Sequence, residues 1–292
     1  MRLRADLTLF FIAIIWGSAF VAQRIAGQMG SVYLFNGVRY ILAGLVVFPF
    51  VRLKTSMSRE QFKWMFLAGF LLFVAAALQQ AGMQFTTAGN AGFITSLYVV
   101  FVPFVVLFGW REKPHWMSVV AVVLAVIGAY LLSTGGKGLE VQRGDALELV
   151  GALFWALHVV VLGKFASRFE PMSFSVGQLL VCGLLNLTLG LFVEQPVFSW
   201  SLAGAAVYTA VMSLGLCYTL QVWAQRHTPP SDAALILSLE SVFAVLAGWL
   251  LLNELLTGIQ VLGCLLIFLA VGLSQVKGYS GTIDRDHLTE GR

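Results

Sequence analysis

Apolar runs of about 20 residues recur ten times along the chain, separated by short polar connections. A helix needs about 20 predominantly apolar residues to cross the ~30 Å hydrocarbon core of a bilayer. Each run therefore predicts one membrane-spanning helix. The predicted spans cover residues 7–25, 33–51, 63–83, 88–108, 115–133, 145–164, 173–193, 201–223, 231–251 and 257–276.

Three of the predicted spans begin with the residue pattern of a capping box. In this pattern a polar side chain accepts a hydrogen bond from the backbone N–H three residues later, and the side chain at that position reaches back. The pairs are Ser58 with Gln61, Asp145 with Glu148, and Thr257 with Gln260. For the acidic pair this predicts a structural role at a helix start rather than buried functional charges.

Composition agrees with a chain that is solvated by lipid. Of the 292 residues 59% are hydrophobic and 11% are charged, whereas a soluble domain carries about 25% charged residues. We therefore predict a multi-pass protein of the inner (plasma) membrane. The net charge of +4 is assigned to loops at the membrane surface, with membrane lipid and not nucleic acid as the partner. The three cysteines have no metal-binding spacing, and no cofactor or metal is predicted.

The distribution of cationic residues predicts the orientation. Most of the 18 Lys and Arg residues fall in loops on the side of the N-terminus, whereas the opposite face has only Arg24, Lys137 and Arg143. By the positive-inside rule both termini are predicted to be cytoplasmic. The polar segment 278–292 has no hydrophobic pattern and is predicted to be a disordered cytoplasmic tail.

The second half of the chain repeats the first. A shift of 139 residues pairs Asp6 with Asp145 and Trp16 with Trp155, and a shift of 142 pairs Gln79 with Gln221, Ser96 with Ser238, and Phe101 with Phe243. Each half holds five spans, and five is odd, so the second half enters the membrane inverted. Inverted repeats predict a site between the halves near the midplane. The predicted halves are residues 5–138 and 143–277.

The sequence resembles the EamA-type transporters of the drug/metabolite transporter superfamily. The resemblance is carried by 13-AIIWGSAF-20, 152-ALFWALHV-159, Arg39 and 239-LESVFAVLAGWLLLNELLTGIQVLG-263. It implies an all-α membrane protein of ten helices in two inverted five-helix repeats. It also implies a central pocket lined by the first four helices of each repeat, with the fifth outside. One departure is Ser241, where many relatives have proline after the glutamate of span nine.

Polar and aromatic residues within the spans are the candidates for binding or coupling. Residues three or four apart share a helix face, and polar groups in lipid point inward to one another or to water. For each glutamine the alternative is a hydrogen bond that only holds helices together. The candidates are Trp16, Arg39, Gln79, Tyr98, Trp155, His158, Gln178, Tyr218, Gln221 and Glu240.

Two candidates carry opposite charges inside the membrane. Arg39 either reaches the surface or pairs with a carboxylate, which belongs to the protein or to a substrate. Glu240 is near mid-span; it forms a structural ion pair or hydrogen bond, or it lines the cavity and binds an amine or a proton. His158 is a second group able to titrate. Trp16 and Trp155 either form apolar walls for cargo or pack the core.

These features favour a secondary transporter that moves small organic metabolites, such as amino acids or related compounds, by alternating access. Proton-coupled export and passive facilitation remain open. A membrane-embedded lipid-modifying enzyme is disfavoured because His115, His158 and His227 have no carboxylate at metal-binding spacing and His287 lies in the tail, so no enzyme activity is expected. A non-transporting sensor or scaffold is disfavoured because there is almost no surface outside the membrane. The chain has no Walker A pattern, and a monomer suffices geometrically because it contains both halves.

Overall fold

The fold was taken from a computed structural model, which describes residues 1–29, 31–51, 57–138, 143–252 and 257–289. Thirteen α-helices make up the ten spans. α4 and α5 form the fourth span, α9 and α10 with a π-helical segment between them form the eighth, and α11 and α12 form the ninth. The helices are α1 (Arg2–Gln28), α2 (Tyr33–Val47), α3 (Arg59–Gly82), α4 (Ala88–Ser96), α5 (Tyr98–Trp110), α6 (Trp116–Thr134), α7 (Arg143–Lys164), α8 (Pro171–Val193), α9 (Trp200–Tyr208), α10 (Cys217–Ala224), α11 (Pro230–Leu237), α12 (Glu240–Leu252) and α13 (Gly258–Thr289).

The all-α membrane fold predicted from the sequence is confirmed. Within the described ranges nine helical stretches are long and apolar enough to cross a membrane, and a shorter apolar helix covers Gly258–Ser274. The backbone of α13 continues as helix to Thr289, where the sequence predicts a disordered tail from residue 278. No proline between residues 275 and 289 interrupts it. Residues 290–292 of that predicted tail lie outside the described residues.

The capping predictions hold at two helices and fail at the third. Ser58 caps α3 through a 3.0 Å bond from the backbone N–H of Gln61, and Thr257 and Gln260 bond reciprocally before α13. At the third site α7 already begins at Arg143. The acidic pair, Asp145 and Glu148, therefore lies within the helix and is buried. Residues with the spacing of a capping box can also lie inside a helix, where their side chains are on nearby turns. Asp145 and Glu148 adopt this arrangement.

Spans four and nine are interrupted at repeat-equivalent positions. The backbone N–H of Leu97 bonds the carbonyl three residues back, and that of Leu239 does the same, which is the tighter 3₁₀ pattern. The hydroxyls of Ser96 and Ser238 also bond the carbonyls three residues back. Ser241 adds a similar bond to the Ser238 carbonyl, so this interruption forms without the proline common in relatives.

Glycines allow two pairs of helices, α1 with α12 and α6 with α13, to pack closely. At Gly17 on α1, an added Cβ would lie 2.7 Å from the backbone nitrogen of Ala244 on α12, so only glycine permits this approach. At Gly128 on α6, an added Cβ would lie 2.7 Å from the carbonyl oxygen of Gly263 on α13. The fifth and tenth spans thus pack against each other, and neither contributes a residue to the central cavity.

Candidate functional site

A cavity lies between the two halves of the bundle. Seven spans line it: the first four of the first half, and the sixth, eighth and ninth. The seventh span contributes no residue, although the resemblance implies that it should. The lining residues are Trp16, Phe20, Gln23, Arg39, Tyr40, Gln79, Thr95, Tyr98, Trp155, Val159, Ser213, Leu214, Tyr218, Gln221 and Glu240.

Most of the candidates from the sequence lie on this wall, and two lie behind it. His158 and Gln178 are fully buried and bond each other, with 2.9 Å between His158 Nε2 and Gln178 Oε1. The His158 ring stands edge-on to Trp155 and Tyr218, with centroids 6.2 Å and 5.7 Å away. This pair therefore supports the aromatic wall from outside the cavity. The other eight candidates line the cavity.

Arg39 brings a positive charge to the cavity from α2. Its side chain is almost fully buried, with 2% of the residue exposed. Nε donates a 3.0 Å bond to Asn36 Oδ1, and the guanidinium lies 5.0 Å and 5.2 Å from the ring centroids of Phe35 and Tyr40. Among the described residues Arg39 forms no ion pair. Because removing a charge from water without a counter-ion is costly, this site favours an anionic group in the cavity.

Glu240 brings the opposite charge from α12. It is the first residue of that helix, where the exposed N–H groups and the helix dipole favour a carboxylate. Its repeat equivalent Tyr98 is the first residue of α5, and the two side chains lie next to each other. Within the described residues no hydrogen bond is assigned to Tyr98 Oη or to Glu240 Oε1. Within the described ranges Glu240 makes no ion pair either, so the two residues are not paired with each other, which was one of the alternatives that the sequence left open.

The two repeat-related tryptophans form an aromatic wall around Tyr218. The Tyr218 ring lies 5.2 Å from Trp16 and 6.5 Å from Trp155, centroid to centroid. Trp16 Nε1 donates a 2.8 Å bond to the Ser213 carbonyl, in the π-helical segment Thr209–Leu216. π-type bonding displaces carbonyls from the regular helix ladder. Trp155 Nε1 is buried without a partner among the residues that the structure describes, so the two equivalent indoles differ in their bonding.

A hydrogen-bonded chain leads from the cavity wall to a second buried carboxylate. Gln79 Nε2 donates a 2.9 Å bond to Thr95 Oγ1, and that hydroxyl donates a 3.1 Å bond to Glu148 Oε2. Glu148 is 1% exposed. Sequence reasoning missed this residue because it assigned Glu148 to a helix cap. Its repeat equivalent is Leu9. This difference between the two halves, an acid against an aliphatic residue, could have indicated that Glu148 has a role of its own.

Gln221, the repeat equivalent of Gln79, is not part of such a hydrogen-bonded chain among the described residues. Gln221 is fully buried on α10, and neither Oε1 nor Nε2 has a hydrogen-bond partner among the residues that the structure describes. Leaving a buried donor or acceptor unpaired costs about 1–3 kcal/mol. The cavity therefore presents one cation, one carboxylate, aromatic walls and several unpaired polar atoms. In the described part of the chain no three His, Cys, Asp or Glu residues are grouped to hold a metal.

Comparison with known proteins agrees with this architecture. A crystal structure superposes with a TM-score of 0.80 over 94% of this chain and 97% of the other at 16% identity, which shows the fold. An uncharacterized transporter of Archaeoglobus fulgidus is 35% identical over 92% of this chain and 85% of its own.

Two relatives have names that state a cargo. The threonine/homoserine exporter RhtA of Salmonella typhimurium is 28% identical over 52% of each chain. The S-adenosylmethionine/S-adenosylhomocysteine transporter of Chlamydia muridarum is 25% identical over 89% of this chain and 90% of its own.

The EamA-like transporter family matches residues 3–134 and again residues 142–275. The relatives are named transporters, which agrees with a protein that is not an enzyme. The chain therefore belongs to the EamA-like transporter family and is a multi-pass transporter of the plasma membrane.

Proposed function

We propose that this transporter moves amino acids or closely related zwitterionic metabolites through the central cavity by alternating access. The observation that carries the proposal is the Arg39 guanidinium, which is buried at the cavity wall without a carboxylate partner in the described part of the chain. A cargo carboxylate would supply the counter-ion through charge-assisted hydrogen bonds. Arg39 thus binds the anionic end of the cargo.

Glu240 and the tryptophans complete this assignment. The Glu240 carboxylate binds the cargo ammonium group, since it lines the same cavity as Arg39 and has no cationic partner among the described residues. Trp16 and Trp155 contact the apolar part of the cargo. The relatives named for threonine and homoserine, and for S-adenosylmethionine, support this class because each of these molecules carries an amino acid group.

Coupling to protons is the finer part of the proposal. A carboxylate that takes up a proton on one side of the membrane and releases it on the other can link cargo movement to a pH gradient. Glu240 fills this role. The halves 5–138 and 143–277 rock against each other, with both termini in the cytoplasm. Passive facilitation is the alternative that the experiment distinguishes.

The experiment measures uptake of labelled amino acids by proteoliposomes with and without an imposed pH gradient. Arg39→Gln is expected to lower kcat/KM for zwitterionic cargo about 10- to 100-fold, because a charge-assisted bond is worth about 1.5–3 kcal/mol. Arg24→Gln, which removes an arginine outside the cavity, is the matched control and leaves transport unchanged. Equal transport by wild type and Arg39→Gln would overturn the proposed cargo site.

Glu240→Gln tests the coupling. If wild type accumulates cargo only with the gradient, and Glu240→Gln exchanges cargo without responding to the gradient, then Glu240 is the coupling site. If wild type equilibrates cargo at the same rate with and without the gradient, the protein is a facilitator. Glu112→Gln is the control, since that carboxylate pairs with Lys164 at the membrane surface, away from the cavity.

A further inference from the structure

Gln221 is an unusual residue on the cavity wall because it is fully buried and its amide makes no hydrogen bond within the part of the chain that the structure describes. Both the carbonyl oxygen and the amide nitrogen lack partners, so exchanging the two in the side-chain assignment would change nothing. The wall at this point therefore offers one strong acceptor and one strong donor side by side. Groups of this kind are nearly always satisfied when they are buried.

Comparison with the other half explains why this amide is free. The repeat equivalent, Gln79, donates to Thr95, which in turn donates to Glu148. At the shifts of 142 and 139 residues that relate the halves, Thr95 corresponds to Leu237 and Glu148 to Leu9. Both replacements are aliphatic. The protein therefore supplies partners for one glutamine of the pair and removes them for the other.

The amide of Gln221 is also well placed relative to the charged groups. Arg39 is on α2, Glu240 is on α12 and Gln221 is on α10, and all three line the same cavity. If the first two hold the carboxylate and ammonium groups of an amino acid, as proposed above, a third wall is left for the side chain of the cargo. Tyr218, one helical turn before Gln221, contacts both tryptophans, so aromatic rings flank the amide on this third wall.

We propose that Gln221 is a specificity residue that selects amino acids whose side chain carries a group able to both donate and accept, namely a hydroxyl or a carboxamide. This inference rests on the proposed amino acid cargo. Such a group would bond both amide atoms of Gln221. An aliphatic side chain of equal shape would leave the amide buried and unpaired, and sites built to bond a polar group discriminate strongly against the analogue that lacks it.

Two pairs of near-isosteric amino acids test the proposal: threonine against valine, and asparagine against leucine. The measurement is kcat/KM for each labelled amino acid in proteoliposomes. Wild type is expected to prefer the polar member of at least one pair about 10- to 100-fold. Gln221→Leu is expected to bring that ratio close to one by losing transport of the polar member while keeping transport of the aliphatic one. Gln221→Met, which keeps the length of the side chain, serves as the second variant if Gln221→Leu does not fold.

Gln79→Leu is the matched control, because this glutamine also lines the cavity but its amide nitrogen is already bonded within the protein. It is expected to keep the wild-type ratio even where the overall rate falls. A wild-type ratio near one for both pairs, or a ratio unchanged in both Gln221 variants, would overturn the inference and would indicate that only water bonds this amide.

The result also separates this inference from the proposed function. If no amino acid is transported, or if Arg39→Gln has no effect, the proposed cargo class fails and the role of Gln221 fails with it. If amino acids are transported in an Arg39-dependent manner but neither ratio responds to Gln221, only the specificity assignment fails.

Discussion

The Thr228 hydroxyl donates a 2.7 Å hydrogen bond to Oδ1 of Asp6, and this bond joins the second half of the chain to the first. Its repeat equivalent is also present, because Thr86 Oγ1 donates a 3.1 Å bond to Oδ1 of Asp145. Asp6 is in the first turns of the first span, and Asp145 is in the first turn of the sixth. Five crossings separate those positions, so the two contacts lie at opposite ends of the bundle.

The contact at the N-terminal end is reinforced by an arginine. Arg2 lies 3.6 Å from Asp6 and 2.5 Å from Asp232, measured between Arg2 nitrogens and carboxylate oxygens. The repeat equivalent of Asp232 is Asn90, which is uncharged and bonds Ser133 of its own half. Because each contact ties one half to the other at a single end, we expect each to close its own end of the cavity.

Removing one contact is therefore expected to open one end. In a background with all three cysteines replaced by alanine, Ser213→Cys places a thiol on the cavity wall. Thr228→Val is expected to raise labelling of this thiol by an impermeant reagent from the N-terminal end about tenfold, and Thr86→Val from the opposite end. The magnitude follows from about 1.5 kcal/mol for a bond to a charged group. Labelling rates from each side of oriented vesicles provide the measurement.

Thr134→Val is the control for these variants, since the Thr134 hydroxyl bonds only the Tyr130 carbonyl of its own helix and an N–H just beyond it. It should leave both labelling rates unchanged. If Thr228→Val and Thr86→Val changed labelling from the same side, the two contacts would not act as separate closures.

The two central tryptophans should respond differently to the same substitution. Trp16→Phe removes the 2.8 Å bond to the Ser213 carbonyl and is expected to lower the free energy of unfolding by about 1 kcal/mol. Trp155→Phe removes a donor that has no partner and is expected to be nearly neutral. Thermal unfolding in detergent, followed by circular dichroism, measures both. Equal losses would show that indole size, and not the hydrogen bond, determines stability here.

The order of the helices and the location of the central cavity could be predicted from the sequence because both follow from patterns that extend over many residues. Hydrophobic runs define the spans, and the internal shifts of 139 and 142 residues define the inverted halves. A site between such halves must lie near the midplane, which is why residues such as Arg39 and Glu240 were identified. The face of the helix on which a residue lies could be inferred from the spacing of three or four residues between polar positions.

The sequence did not show which of the inward-facing residues line the cavity and which lie behind its wall. His158 and Gln178 face inward as predicted, but helix periodicity does not show that the seventh span stands behind its neighbours. The role of Glu148 was hidden because a local capping pattern and a buried acid on a helix have the same spacing. The interruptions at Leu97 and Leu239 depend on serine hydroxyls bonding nearby carbonyls, which composition alone does not reveal.

The buried position of Glu148 leads to a prediction about stability. Glu148→Leu leaves the Thr95 hydroxyl without its acceptor in an apolar region and is expected to cost about 1–3 kcal/mol of unfolding free energy. Glu148→Gln keeps an oxygen in reach of that hydroxyl and should retain most of the stability. Reversible unfolding in mixed micelles measures the difference between the two variants. If they were equally stable, the bond to Thr95 would contribute nothing to the fold.

Gly17 tests how tightly the two halves must approach each other. An added Cβ would contact the Phe243 side chain and lie 2.7 Å from the Ala244 backbone nitrogen, and backbone cannot move aside as a flexible side chain can. Gly17→Ala is therefore expected to destabilise the protein by about 1–3 kcal/mol through overpacking. Gly204→Ala is the matched control, since nothing lies within 4 Å of its added Cβ and alanine is the better helix former by up to about 1 kcal/mol. Unfolding temperatures in detergent should thus move in opposite directions for the two variants. A Gly17→Ala protein as stable as wild type would mean that α1 and α12 are farther apart in the membrane than the structure places them.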